Sequence, residues 1–198
     1  MNEEDNLALQ HMDLLHNMQL NFHVDNQLIL EAGERDRAQN NFINAVFNTR
    51  RAGEDVSAAI TEMSKEALQL RKGEFAAKKL LKVCQEKIRH VSSLLEALDS
   101  SADTVSDPVD YRVEKLEECH QVASNIKLAA MHLKTALDMF EVSLDEDPVN
   151  EAPENFHEVL AKRDELYTLV NSFPALHRNN FRIEAIQRSV MNVTGRNN

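Results

Sequence analysis

Apolar residues recur with helical spacing over two long stretches, and this recurrence constrains the fold more than any other feature. From Val56, alternating steps of four and three residues lead to Leu98, and twelve of the thirteen positions visited are apolar. The same alternation leads from Val109 to Leu144, where ten of the eleven positions are apolar. Heptads sustained over such lengths are typical of coiled-coil helices that pack through one apolar seam. Each stretch therefore predicts a long amphipathic helix.

Residues that make turns are scarce in this chain. Its 198 residues include four glycines and four prolines, whereas average usage would give roughly 24 of the two together. Sandwiches, barrels and propellers need many turns, and no segment alternates with the period of a strand. The dispersed glycines also provide no phosphate-binding loop. We therefore predict an all-α fold.

The two apolar seams can pack against each other as an antiparallel hairpin. Ser, Asp and Pro cluster in residues 99–108, which predicts a loop there. Folding the chain at this loop pairs Leu81 with Ile126. It also brings the basic stretch 71–89 against the acidic second helix, and opposite charges of this kind set partner and orientation in coiled coils. The alternative is that each seam packs on a different subunit.

Glycine, proline and polar turn residues divide the chain into three parts. Residues 1–52 are predicted to form an N-terminal helical pair, with its first helix ending at Gly33. Residues 53–147 form the coiled-coil hairpin, and residues 148–198 form C-terminal helices that pack on the hairpin or on a partner. Together these parts predict an elongated helical bundle.

One charged residue interrupts the first seam. Glu74 occupies a seam position and follows Gly73. A buried carboxylate is costly unless it is paired. Two interpretations follow: the seam opens or bends at this point, or the two residues form a hinge or a polar layer that fixes the register of the helices.

The charge of the chain disfavours several classes of partner. It has 33 acidic and 22 basic side chains and a formal net charge of -11. Nucleic-acid-binding proteins usually carry a basic excess, and an anionic membrane surface would repel this chain. No apolar run reaches the ~20 residues needed to cross a bilayer, and the acidic N-terminus does not resemble a signal peptide. We therefore predict a cytoplasmic or nuclear protein that binds neither nucleic acid nor membrane directly.

Local motifs for catalysis or metal binding are weak. Two Glu-x-x-His strings, at 117–120 and 154–157, have the spacing of ligand pairs in di-iron bundles. The seam turns Cys119 inward, so Glu117 points away from the core. Cys84 also lies on a seam, where Cys acts as a small apolar filler, and neither Cys has the companions of a zinc site. With no P-loop, dinucleotide turn or catalytic-triad signature, we predict no catalytic residue, metal or cofactor.

These features favour a non-enzymatic structural or adaptor subunit of an intracellular multi-protein assembly. It would act through coiled-coil and helix-in-groove contacts with other helical subunits or with a second copy of itself. The alternative function is a self-contained helical bundle that binds a metal or a small ligand, with or without enzyme activity.

Apolar stripes near the two ends of the chain supply the candidate contact residues for such partners. They are Met12, Leu15, Phe22, Phe42 and Phe47 near the N-terminus, and Phe173, Leu176, Phe181, Ile183 and Ile186 near the C-terminus. The competing interpretation is that both sets close the protein's own core.

Overall fold

Helices make up all the regular structure in the part of the chain that the computed structural model describes. The described residues are 3–72, 77–109, 113, 115–178 and 180–194. The elements, in chain order, are α1 (Glu3–Ala67), a short 3-10 helix (Leu68–Lys72), α2 (Ala77–Ser106), α3 (Leu116–Glu146), α4 (Glu151–Val170) and α5 (Phe181–Thr194). The predicted all-α fold class is confirmed.

The described residues form two compact units. Unit 1 combines the residues up to Asn40 with those from His177 onward, and unit 2 comprises Asn41–Leu176. Helix α1 contributes residues to both units. The domain boundaries at 52 and 147 stay predictions. Helix α1 is one continuous helix where a helical pair was expected.

Unit 2 is a bundle of four antiparallel helices: residues 41–67 of α1, and α2, α3 and α4. Arg163 of α4 donates a hydrogen bond to Thr61 of α1 at 2.9 Å, while Val170, further along α4, lies against Gly53, earlier along α1. These two helices therefore run in opposite directions. Helices α3 and α4 are joined by only residues 147–150, a length typical of antiparallel neighbours.

The two predicted seams form the core of this bundle. Among the seam positions from Val56 to Leu70 and from Leu81 to Leu98, all are buried except Leu81, which is half-buried. From Cys119 to Leu144 the second seam is buried throughout. Helix α4 adds Phe156, whose ring centroid lies 5.0 Å from that of Phe140. The heptad pattern thus identified the core, and the predicted packing of helical hairpins is confirmed.

The first seam, however, is divided between two helices. It runs along α1 to Ala67, continues through the 3-10 helix and resumes on α2 in the opposite direction. Lys87 of α2 accordingly donates a hydrogen bond to Glu66 of α1 at 2.9 Å. This basic side chain was expected to face the second seam, and that expectation is corrected for Lys87. The predicted hinge residues Gly73 and Glu74 lie outside the described residues.

The predicted loop at 99–108 is also corrected, because α2 continues to Ser106. Ala102 and Val105 extend the heptad of Leu98 and are fully buried. The Thr104 and Ser106 hydroxyls donate to backbone carbonyls four residues earlier, which satisfies these polar groups within the helix.

Because α2 continues to Ser106, the chain turns between α2 and α3 later than predicted. The residues of α2 and α3 that face each other therefore differ from the predicted pairs. Lys127 of α3 forms ion pairs with Asp99 and Asp103 of α2. Leu81 lies 18 residues before Asp99, or about 27 Å along a helix. The predicted pairing of Leu81 with Ile126 is therefore wrong.

Neither glycine of α1 ends the helix, contrary to the prediction for Gly33. A glycine inside a helix costs only ~1 kcal/mol relative to alanine. Packing also explains why position 53 is a glycine. A Cβ atom there would lie 2.3 Å from Cγ1 of Val170, so the absence of a side chain allows α4 to approach α1 closely.

In unit 1, helix α5 is held by a side chain of α1. The carboxylate of Asp36 accepts hydrogen bonds from the backbone N–H groups of Phe181 at 2.6 Å and Arg182 at 3.0 Å. These are the first N–H groups of α5, which have no partner within their own helix. Gln39 donates to the carbonyl of His177 at 2.8 Å and fixes the approach to the helix. Asp36 thus caps α5 from a position distant in sequence.

Candidate functional site

Large apolar side chains project into solvent from the first part of α1. Every side chain of residues 10–24 is exposed. We call the apolar members of this segment and its continuation to Leu30 the N-terminal apolar surface. Its nine large side chains are each more than half exposed: Met12, Leu14, Leu15, Met18, Leu20, Phe22, Val24, Leu28 and Leu30. Clusters of exposed large apolar side chains are typical of interaction sites.

The N-terminal apolar surface occupies two sides of the helix. Leu15, Met18 and Phe22 follow one another at steps of three and four and share one side. Leu20, Val24 and Leu28 follow at steps of four and lie on the other side. A helix that packs on one neighbour needs a single apolar stripe, whereas apolar residues on two sides indicate burial between neighbours.

The charges around this surface have one sign. Residues 1–33 include six acidic side chains and neither Lys nor Arg. A partner that covers the surface would gain from basic side chains at its rim. Two copies of the same segment would instead bring like charges together, which disfavours self-association through this surface.

The structure separates the predicted N-terminal contact residues into two groups. Met12, Leu15 and Phe22 are 61–70% exposed and belong to the N-terminal apolar surface. Phe47 is also exposed, on the part of α1 that lies in unit 2. Phe42 is buried in unit 2, with its ring centroid 6.3 Å from that of His120. It closes the protein's own core and is not available to a partner.

The predicted C-terminal contact residues divide in the same way. Phe173 and Leu176 are half-buried against the core clusters of unit 2, as the competing interpretation expected. Phe181 is half-buried and lines a groove between α1 and α5 of unit 1. Ile183 and Ile186 are exposed on α5. Among the predicted C-terminal contact residues, Ile183 and Ile186 are therefore the two with exposed side chains.

A second exposed apolar surface was missed by the sequence analysis. Leu128, Met131, Met139 and Val142 are each 51–56% exposed on α3, and we call them the α3 outer stripe. Their spacing of three, eight and three residues keeps them on one side of the helix. The signal was present in the sequence but was concealed by the stronger seam of Ile126–Leu144 on the opposite side of α3.

The nucleophilic side chains of unit 2 are poorly placed for chemistry. Cys84 and Cys119 are free thiols that lie in different apolar clusters. Burial, assisted by a nearby glutamate in each case, raises the pKa of both thiols to about 11. Both therefore stay protonated at neutral pH, and the thiolate is the reactive form.

The two Glu-x-x-His strings do not converge on a site in the described structure. Glu117 and Glu118 are exposed, while His120 is half-buried beside Phe42. The Nε2 atom of His120 has no hydrogen-bond partner among the described residues. Glu154 and His157 are exposed on α4. Among the described residues, no three His, Cys, Asp or Glu side chains are grouped closely enough to hold a metal ion.

Comparison with known proteins gives no relative. No family model, no curated protein and no solved structure matches this chain. Within the described helices, none combines the length and the apolar character required to cross a membrane.

Proposed function

We propose that this protein is a non-enzymatic structural or adaptor subunit of an intracellular multi-protein assembly, cytoplasmic or nuclear in location. Unit 2 supplies its folded core, and the N-terminal apolar surface is the segment that partner helices cover. The observation that carries this proposal is the exposure of nine large apolar side chains on two sides of a single helix.

The exposed area is large enough to drive association. Complete burial of one large apolar side chain contributes about 1.5–3 kcal/mol, so covering nine half-exposed ones would contribute on the order of 10 kcal/mol. Micromolar binding corresponds to a net free energy of about 8 kcal/mol, and association also costs at least about 4 kcal/mol in lost translational and rotational freedom. The apolar surface that a partner helix buries in return adds a contribution of similar size. One partner covering both sides can therefore hold the segment.

The chemistry of the segment defines the expected partners. Apolar residues at steps of three and four fit the grooves and knobs-into-holes contacts that other helices offer. The exclusively acidic charge of residues 1–33 favours partner helices with Lys or Arg beside their apolar stripe. The partners are therefore other helical subunits with basic flanks.

Photo-crosslinking in the native source combined with paired variants tests this proposal. A photo-crosslinking residue at position 18 should form a covalent bond to a helical segment of another protein that carries basic residues. The double change Met18→Ser and Phe22→Ser should abolish co-purification of that protein and leave the melting of the bundle unchanged.

Tyr167→Ser is the matched control, because Tyr167 is 49% exposed on α4 in unit 2. This change should leave co-purification intact. The proposal fails if the protein purifies from its native source as a monodisperse monomer without crosslinked partners, or if the control removes the partner as effectively as the double variant.

A further inference from the structure

We propose that the α3 outer stripe is a second docking site, which binds an amphipathic helix of another protein that has basic residues beside its apolar face. The site lies entirely in unit 2 and shares no residue with the N-terminal apolar surface. It therefore goes beyond the proposed function, because it assigns a further interaction surface and the chemistry of its partner.

The stripe has the dimensions of a helix-binding surface. From Leu128 to Val142 it extends over 14 residues, or about 21 Å of helix. A partner helix that uses anchors at steps of three and four residues would place four of them along this length. The exposed hydroxyl of Thr135 lies between the two methionines and bonds back to the carbonyl of Met131, so it requires no partner of its own.

Concave surfaces border both ends of the stripe. At one end, Leu128 and Met131 line a groove with Leu95 of α2 and with Ala130, so that apolar atoms form part of its lining. At the other end, Met139 and Val149 line a second depression at the connection between α3 and α4. A helix laid along the stripe would therefore enter shallow grooves as well as contact the four projecting side chains.

The residue types suit a docking role. Two of the four members are methionine, whose unbranched and polarizable side chain adapts to differently shaped partners. The opposite side of α3 is already occupied by the core of unit 2, including Leu133 and Leu137. The stripe thus lies on the side of α3 away from the core, and its burial by a partner would leave the core in place.

The rim of the stripe is acidic. The carboxylates that line the two grooves are Glu96 and Asp99 of α2 and Glu151 and Glu154 of α4. Two bases of α3, Lys127 and Lys134, also line the first groove. Lys127 is already paired with Asp99 and Asp103. This excess of carboxylates favours a partner with Lys or Arg at its flanks.

The same charges argue against the other occupants. A second copy of α3 would bring one acidic rim against another. The N-terminal apolar surface of a second copy carries only acidic charges within residues 1–33 and would also be repelled. An anionic membrane surface is disfavoured for the same reason. A basic amphipathic helix from a different protein is the occupant that the charges fit.

The test uses the full chain with a photo-crosslinking phenylalanine at position 135, in the middle of the stripe. The probes are two synthetic 21-residue helices with leucine at every a and d position, one with lysine and the other with glutamate at every e and g position. The lysine-flanked helix should crosslink in a saturable manner, and the glutamate-flanked helix at least tenfold less. Raising the salt concentration should weaken the crosslink, because exposed charges contribute to it.

Three further double variants identify the surface responsible. Met131→Ser with Met139→Ser should reduce the crosslink at least tenfold. Met131→Gln with Met139→Gln, which preserves side-chain length, gives the same readout if the serine variant folds poorly. Met18→Ser with Phe22→Ser should leave the crosslink at position 135 unchanged, so that failure of the present proposal and failure of the proposed function are separable.

Three results would overturn the proposal. The first is equal crosslinking of both probes, which would show that charge does not select the partner. The second is a crosslink between two copies of the chain in preference to the lysine-flanked helix, which would identify the stripe as a self-association surface. The third is a crosslink that both methionine variants leave unchanged.

Discussion

The two parts of α1 have the same secondary structure and opposite surroundings. In the part that belongs to unit 2, Ile43, Val46 and Ile60 are 0–5% exposed. In residues 10–24, by contrast, every side chain is exposed, including Phe22 at 70%. Apolar residues at helical spacing occur in both parts, so the spacing alone does not distinguish a core from a docking surface. What distinguishes the two parts is whether other helices of the same chain pack against them.

The neighbours of each part explain the difference. Residues 41–67 pack between α2 and α4, which bury their apolar side. In unit 1, α5 has only 14 residues, and its first turn is capped by Asp36 of α1. From there α5 runs alongside α1 toward the N-terminus of α1, and the two helices line a groove that includes Asp25. Isolated helices are only marginally stable in water, and most helical stability in proteins comes from tertiary packing. A partner that covers residues 10–24 would therefore stabilise the helix it binds.

The largest contrast is expected from the same substitution at two phenylalanines. Phe140 is fully buried in unit 2, whereas Phe22 is 70% exposed. Phe140→Ala should lower the free energy of unfolding by about 3–5 kcal/mol, because it removes apolar contacts and leaves a cavity. Phe22→Ala should change it by less than about 0.5 kcal/mol. Urea denaturation followed by circular dichroism measures both; equal losses would mean that residues 10–24 are packed within the chain itself.

A second contrast comes from the two glycines of α1. A Cβ at Gly53 would lie 2.3 Å from the fully buried Val170, whereas a Cβ at Gly33 would meet its nearest neighbour, Arg182, at 3.9 Å. Gly53→Ala should therefore destabilise unit 2 by about 1–3 kcal/mol through overpacking. Gly33→Ala should stabilise α1 by about 0.5–1 kcal/mol, because alanine is the better helix former. Thermal melts measure the change in stability of both variants. A Gly53→Ala variant that is more stable than the unchanged protein would show that α4 does not approach α1 as described.

The sequence predicted the core of unit 2 well because burial in a helical bundle repeats with the helix itself. The heptads from Val56 and from Val109 identified the inward positions, including Cys84 and Cys119. The helix boundaries were less predictable. Gly33 and the polar stretch 99–106 resemble breaks, but the cost of such residues is small and the packing of Ala102 and Val105 outweighs it.

The candidate site was predictable only in part, for a related reason. Phe22 and Phe42 occur in similar apolar patterns, yet one is exposed and the other lies in the core beside His120. No local property separates them, because the difference arises from helices distant in sequence. The α3 outer stripe was recognisable in principle, since Leu128, Met131 and Val142 also follow helical spacing. The longer apolar seam of Ile126–Leu144 on the opposite side of α3 masks this shorter pattern.

A smaller effect is expected at the contact that holds α5 to α1 in unit 1. Asp36→Ala removes the acceptor of the Phe181 and Arg182 N–H groups. Loss of a helix cap costs about 0.5–2 kcal/mol, and here the loss should be confined to unit 1. Hydrogen exchange should become faster in the first turn of α5 and remain unchanged for the buried helices of unit 2. Asp36→Asn, which keeps one acceptor oxygen, should have an intermediate effect; unchanged exchange in α5 would contradict the capping role.

The smallest effect concerns the carboxylate that joins the bundle part of α1 to α2. Burial is the largest single influence on Glu66 and opposes its ionisation. It is outweighed by the sum of the hydrogen bond from Lys87, a backbone hydrogen bond and the charges of Lys87 and Lys65, so the pKa of this carboxyl is lowered. A lowered pKa in the folded state means that the contribution of the pair is complete above the ordinary glutamate pKa and is lost as the pH falls below it.

Glu66→Gln should therefore reduce the free energy of unfolding by up to about 1 kcal/mol at pH 7, the upper end of the range for ion pairs near a protein surface. The difference from the unchanged protein should shrink as the pH approaches 3, because the carboxyl of Glu66 becomes protonated there. Glu62→Gln is the matched control, since Glu62 is 74% exposed and lies 4.0 Å from the same amine. Its effect should be smaller at every pH. A difference for Glu66→Gln that grows toward low pH would show that burial, and not Lys87, dominates this carboxyl in the bundle part of α1.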